Sequence, residues 1–214
     1  MIPDIIVFIL EVIGTIAFAI SGAFVAIKAR LDIFGVLFIG CITAVGGGIV
    51  RDLLIGVTPP AIFENGYLVS TAIIASLLVF LIAYFNRKKI DTIQEKVEYV
   101  NTFFDAVGLA TFSVMGTEVA FINGFAENAF LSIVLGMLTA VGGGIFRDIL
   151  TDSTPYIFKK HVYAVASIAG CCLYYIMRRA LIGAALSSCV TIVFIIIVRL
   201  LAAKFRWGLP KIDL

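Results

Sequence analysis

Charge is scarce in this chain. Only 14% of its 214 residues are Asp, Glu, Lys or Arg, against 62% hydrophobic, and the mean hydropathy is +1.13. Soluble domains carry about a quarter charged residues, so an ordinary soluble enzyme is excluded, and several apolar runs are long enough to cross a bilayer. Histidine is nearly missing: His161 stands alone between Lys160 and Val162 and reads as solvated. No HExxH occurs, no Gly-Lys-Ser/Thr follows a glycine run, and no GxGxxG opens a soluble helix. Those gaps exclude a zinc protease, a phosphate-binding loop and a dinucleotide fold. No serine or cysteine has a base close by in sequence, so no enzymatic activity is expected. The four cysteines (Cys41, Cys171, Cys172, Cys189) lack metal-ligand spacing and read as small hydrophobes rather than disulfides. No cofactor, metal or nucleic-acid partner is expected. The opening MIPDIIVF has an acid where a signal peptide carries positive charge, so the first apolar segment is expected to be retained.

Glycine is plentiful, and its most telling run occurs twice. Thr43 to Leu54 reads TAVGGGIVRDLL and Thr139 to Leu150 reads TAVGGGIFRDIL, differing only at Val50/Phe146 and Leu53/Ile149, with an offset of 96. Each glycine costs about 1 kcal/mol of helix stability relative to alanine. Three in succession mark either a groove for a closely packed neighbour or a discontinuous helix beside a central pathway.

Hydropathy gives seven spans: about 5–27, 33–55, 67–85, 102–122, 128–150, 162–177 and 181–203. The sixth is short. The repeat extends past the glycines: Glu11, Gly14, Phe18 and Gly22 align with Asp105, Gly108, Phe112 and Gly116, and Tyr67 with Tyr163. Each unit thus holds three spans. Because three is odd, the second unit enters the membrane from the opposite side, which predicts inverted repeats. The expected fold is an all-α integral membrane protein of seven transmembrane helices, two inverted three-helix repeats plus a seventh helix. The expected units are residues 1–86, a polar cytoplasmic connector over 87–100, residues 101–179, and a seventh helix with tail over 180–214.

With seven spans, one side collects Lys28, Arg30, Arg87, Lys88, Lys89, Lys96, Lys159, Lys160, Lys204, Arg206 and Lys211, while the other has only Arg178 and Arg179 in its loops. This places the N-terminus outside and the C-terminus in the cytoplasm of an inner (cell) membrane protein.

Seven ionisable residues fall within or at the ends of the repeated spans: Glu11, Arg51, Asp52, Asp105, Glu118, Arg147 and Asp148, five acids and two arginines, or −3. Each is either an interfacial group near a span end or a member of a wet interior. A helix break at the glycines offers carbonyls to a cation and amides to an anion, and the acidic excess tips that balance toward cations. Thr43 and Thr139 either add hydroxyl ligands or bond back to their own helix, the commoner behaviour. Arg51 is expected to brace Asp148 or Asp105 across the inversion axis, and Arg147 to brace Asp52 or Glu11. Leucine at Gly47 or Gly143 is expected to cut flux while assembly persists.

The doubled GGGxxRD element in a chain of three plus three plus one spans resembles the prokaryotic branch of the trimeric intracellular cation (TRIC) channel family, from about Ile5 to about Ala203. The resemblance implies a homotrimer in the membrane lipid with a pore in every protomer, chiefly for potassium with some sodium. It also implies that Gly46, Gly47 and Gly48 kink the second helix, and Gly142, Gly143 and Gly144 the fifth, beside that pore. Sequences of this family have carried a glycine-transporter label as well, so a secondary transporter of a small amino acid is the alternative, and inverted repeats suit both. The Lys-Glu-Val element of animal members is not matched by Thr117-Glu118-Val119, so phosphoinositide regulation is not carried over.

Overall fold

The computed structural model describes residues 4–64, 66–86, 94–159 and 162–208. The chain is helical throughout this part: α1 Asp4–Lys28, α2 Ile33–Leu54, a 3-10 turn Ala61–Phe63, α3 Tyr67–Phe85, α4 Gln94–Ile122, α5 Ala129–Leu150, the single turn α6 Tyr156–Lys159, α7 Tyr163–Arg179 and α8 Ala184–Lys204. Six of these are long and apolar enough to cross a membrane. The remaining long helix, α7, has 17 residues and a length of about 25 Å, in keeping with a short sixth span. The one departure from the expected boundaries is at α4, which begins at Gln94. The second half of the expected connector supplies four good helix formers, Gln94, Glu95, Lys96 and Glu98, and extends the span outward. Arg87, Lys88, Lys89, Lys160 and Lys211, five of the loop charges counted above, and His161 lie outside the described residues.

Local sequence sets matching helix ends in the two halves. Asp32 caps α2 by accepting from the Gly35 amide at 2.8 Å, and Asn128, at the repeat offset, caps α5 by accepting from Leu131 at 3.0 Å. The chain leaves α2 through Gly56 and α5 through Asp152, both with positive φ.

The repeat is visible in packing. Phe18 of α1 lies where a Cβ on Gly108 of α4 would be, and Phe112 of α4 lies 3.1 Å from where a Cβ on Gly14 of α1 would be. The two rings themselves stand 5.3 Å apart. Likewise Gly22 of α1 faces Thr43 of α2, and Gly116 of α4 faces Thr139 of α5. These reciprocal contacts put the inversion axis between α1 and α4 and between α2 and α5. The small residues Gly14, Gly22, Gly108 and Gly116 therefore serve close approach within the protomer. Around the axis lies a core that includes Phe18, Leu109, Phe112, Met115 and Val141, whereas α3 turns most of its apolar surface outward. All four cysteines are free.

Candidate functional site

The site is built where α2 crosses α5. Neither helix is interrupted at its glycines, so the free carbonyls and amides expected of a break are not present. The continuous ladder satisfies them internally. The glycines act instead through what they lack. A Cβ on Gly47 would run into the Thr139 carbonyl, and one on Gly143 into the Thr43 carbonyl. A Cβ on Gly142 would sit 3.0 Å from the Gly47 Cα. The two backbones thus touch reciprocally, as a crossing on an inversion axis requires. The third glycine of each run is different. Beside Gly48 the nearest group is Arg51 Nη2, at 3.8 Å from an added Cβ; beside Gly144 there are Tyr163 Oη at 3.4 Å and Arg147 Nη2 at 3.6 Å. Thr43 and Thr139 bond back to the Ile39 and Leu135 carbonyls, each at 2.6 Å, so their hydroxyls are occupied.

One turn beyond the glycines, each arginine holds its own neighbour: Arg51 Nε to Asp52 at 2.8 Å and Arg147 Nε to Asp148 at 2.8 Å. The second carboxylate oxygen of each aspartate accepts from the backbone of the following short turn, Ala61 at 3.0 Å and Tyr156 at 2.7 Å. The expected bracing across the axis does not form. Arg147 reaches Asp105 of its own repeat at 2.9 Å, not Asp52 or Glu11, and Arg51 holds Asp52 alone among the described residues. The neighbouring aspartate is the next residue and takes the Nε of each arginine, which leaves Arg147 its Nη1 for Asp105. A contact between repeats does exist, but it is neutral: Arg147 Nη1 donates to Ser21 of α1 at 2.9 Å.

Two basic residues missing from the set of seven complete the charge pattern. Arg199 of α8 is 2% exposed, stands 3.8 Å from Asp105 and lies over the Tyr163 ring at 4.6 Å. Arg178, expected in a loop, turns in to hold Glu118 with Nε at 3.0 Å and Nη2 at 3.2 Å, while Tyr174 donates to the same carboxylate at 2.9 Å. With both included, the count is five acids against four arginines, −1 rather than −3, which removes most of the acidic excess. Arg199 was legible as an ionisable group inside an apolar span; Arg178 was not, since only the curl of α7 onto α4 brings it inward.

The two copies differ in access. Arg147 and Asp105 are fully buried, and Arg147 also lies over the Tyr156 ring at 4.7 Å. Burial pushes the Tyr156 hydroxyl, outside the spans on α6, up to about 12. A narrow crevice beside the pair is lined by Gly144, Arg147, Asp148, Tyr156 and Tyr163. In the first copy Arg51 is 12% exposed at its side chain and Glu11 is half-buried, accepting from Tyr67 at 2.7 Å. Glu118 belongs to neither copy and joins α4 to α7.

Comparison with known proteins agrees with this doubled architecture. A family model described as "Glycine transporter" matches residues 8–84 and 102–179, once on each repeat. The UPF0126 membrane protein YvgT of Bacillus subtilis (strain 168) is 36% identical over 204 residues, 95% of each chain. Among solved structures, a TRIC cation channel described for its conductance is 33% identical with a TM-score of 0.81, covering 100% of this chain and 98% of that one. The TRIC trimeric intracellular cation channel orthologue from Rhodobacter sphaeroides is 27% identical with a TM-score of 0.85, covering 94% and 99%.

Proposed function

The chain belongs to the family of that model and, within it, to the prokaryotic TRIC channels, and from this premise we propose that it is a passive channel for monovalent cations, chiefly potassium with some sodium. Each protomer of a homotrimer holds a pore along α2 and α5, with the glycine runs shaping it and the two Arg-Asp sites at its flanks. Thr43, Thr139, Glu11, Asp105 and Glu118 stand beside that path as bracing or lining groups. The observation that carries the reading is the reciprocal crossing of α2 and α5 at Gly47 and Gly143. It sets two copies of one charged site on either side of an axis in the membrane plane, as an inverted-repeat pathway requires. Residues 1–86 and 101–179 form the inverted units, 87–100 is the cytoplasmic connector, and 180–214 contributes Arg199 to the second unit. The N-terminus faces outside and the C-terminus the cytoplasm.

A small-amino-acid transporter is the second reading. It is favoured by the family model's description and by buried atoms of both kinds that make no hydrogen bond among the described residues, Arg147 Nη2 and Arg199 Nε as donors and Asp105 Oδ2 as acceptor. The full burial of Arg147 and Asp105 weighs against it. The deciding experiment is single-channel recording of the purified protein in planar bilayers under a potassium chloride gradient. Discrete steps reversing near the potassium potential are expected. Silence at all voltages, with saturable glycine counterflow in liposomes, would overturn the channel reading in favour of the transporter.

A further inference from the structure

Three positions recur in both repeats: an acid on the first helix (Glu11, Asp105), the arginine after the glycines (Arg51, Arg147) and a tyrosine opening the third helix (Tyr67, Tyr163). Their bonds are not the same. In the first copy the tyrosine holds the acid, Tyr67 to Glu11 at 2.7 Å; Arg51 has Asp52 at 2.7 Å and no ion pair with Glu11 among the described residues. In the second copy the arginine holds the acid, Arg147 to Asp105 at 2.9 Å, and the buried Tyr163 hydroxyl has no hydrogen-bond partner among the described residues. One triad thus occurs in two alternative hydrogen-bond states within a single protomer.

The difference has a local cause. Ser21, at hydrogen-bond distance from Arg147, corresponds across the repeat to Met115, whose thioether is a poor acceptor for a guanidinium. Arg199, 3.8 Å from Asp105, comes from the helix that has no repeat mate. Ser21 favours the arginine-bound state in the second copy only, and Arg199 gives Asp105 a second positive partner there. The tyrosine-bound copy is the partly exposed one and the arginine-bound copy is sealed.

We propose that acid, arginine and tyrosine form a two-position switch in each repeat, sealed when the arginine holds the acid and accessible when the tyrosine does. Tyr163 is then a positioning residue for opening: it receives Asp105 when Arg147 lets go. The inference rests on the channel reading, and it explains why a buried hydroxyl is kept without a partner, which is costly in a resting structure. Both states must lie close enough in free energy for one to be sampled from the other.

The test is Tyr163→Phe and Ser21→Ala, recorded as single channels so that yield does not enter. Because the Tyr163 hydroxyl is unpartnered at rest, Tyr163→Phe is expected to leave trimer melting and unitary conductance unchanged. Its open probability is expected to fall by about ten-fold, the loss of one charge-assisted hydrogen bond from the open state only. Ser21→Ala removes from the sealed state an acceptor for Arg147 and a long donor to Asp105 at 3.5 Å, and is expected to raise open probability about five-fold. Wild-type open probability in Tyr163→Phe would overturn the switch, and so would a collapse of its fold, which would mean the hydroxyl already has a resting partner. A wild type that shows no steps removes the channel reading instead. The switch is then decided by hydrogen exchange at the segment carrying Asp105: slower exchange in Tyr163→Phe than in wild type supports it, and equal exchange overturns it.

Discussion

Alanine at Gly47 and alanine at Gly48 are the same chemical change one residue apart on one helix, yet the crossing makes them opposites. At Gly47 the new methyl lands on the Thr139 carbonyl, with the carbonyl carbon at 2.9 Å and the Cα at 3.2 Å. The obstacle is helix backbone, which cannot rotate aside as a side chain can. Restoring ordinary contact needs the helices to part by on the order of 1 Å, and the reciprocal contact at Gly143 opens with it. Overpacking of this kind costs about 1–3 kcal/mol, occasionally more. At Gly48 the nearest group is Arg51 Nη2 at 3.8 Å, an ordinary contact, and alanine gains up to about 1 kcal/mol of helix propensity. Alanine at Gly47 gains the same propensity, so the pair is expected to differ by the overpacking cost of about 1–3 kcal/mol, read as a melting temperature of the detergent-solubilised protein lower by roughly 5 °C in Gly47→Ala. Equal melting of the two variants, or a less stable Gly48→Ala, would refute the crossing as the reason for the glycines. The same geometry revises the expectation for leucine: at Gly47 or Gly143 it should weaken the helix pair itself, so lost flux would not by itself report on a pore.

Arg147→Gln strips Asp105 and Asp148 of a fully buried partner and is expected to cost about 3–5 kcal/mol. Arg51→Gln, part-exposed with one acid, should cost about 1–2 kcal/mol; equal losses in thermal melting would contradict the difference in burial. Glu118→Gln weakens both Arg178 bonds and is expected to cost about 2–3 kcal/mol, more than Tyr174→Phe, with the reverse order counting against the charge-assisted link between α4 and α7. Glu11→Gln is expected to lower potassium conductance at low salt and to have little effect at high salt, where surface charge is screened. Unchanged conductance at low salt would place the cation path away from Glu11.

Most of the fold was legible because membrane spans and a doubled motif leave a strong one-dimensional trace. Apolar runs set the seven long helices, and an odd number per repeat forced the inversion. The local behaviour at the glycines was less so. A run such as Gly46-Gly47-Gly48 lowers helix propensity equally whether the helix breaks or is crossed, and only the opposing Thr139 carbonyl distinguishes the two. Arginine partners were misassigned for a related reason. Symmetry alone pointed Arg51 and Arg147 across the axis, but Asp52 and Asp148, the next residues, take their Nε groups, and Arg147 turns its Nη1 to Asp105 of its own repeat. Arg178 was hidden by its place at a span end, where a snorkelling side chain and one drawn inward to Glu118 look alike in sequence.

The charge count locates where a preference for cations would arise. Four of the five acids hold an arginine: Asp52, Asp105, Asp148 and Glu118. Only Glu11 holds a tyrosine instead. A carboxylate paired at hydrogen-bond distance presents little net field a few ångströms away, whereas an unpaired one acts on a cation at 4 Å with about 4 kcal/mol at the effective dielectric near a protein surface. The residual −1 therefore sits on one residue, in the copy of the triad that is partly open. The second copy adds a neutral, sealed cluster, made so by Ser21 and Arg199, which have no counterparts in the first. Inversion symmetry of the helices thus does not carry over to electrostatics. In the proposed pathway, attraction belongs to the Glu11 end and closure to the Asp105 end. The same substitution made in the two copies should then change conductance in one case and opening in the other.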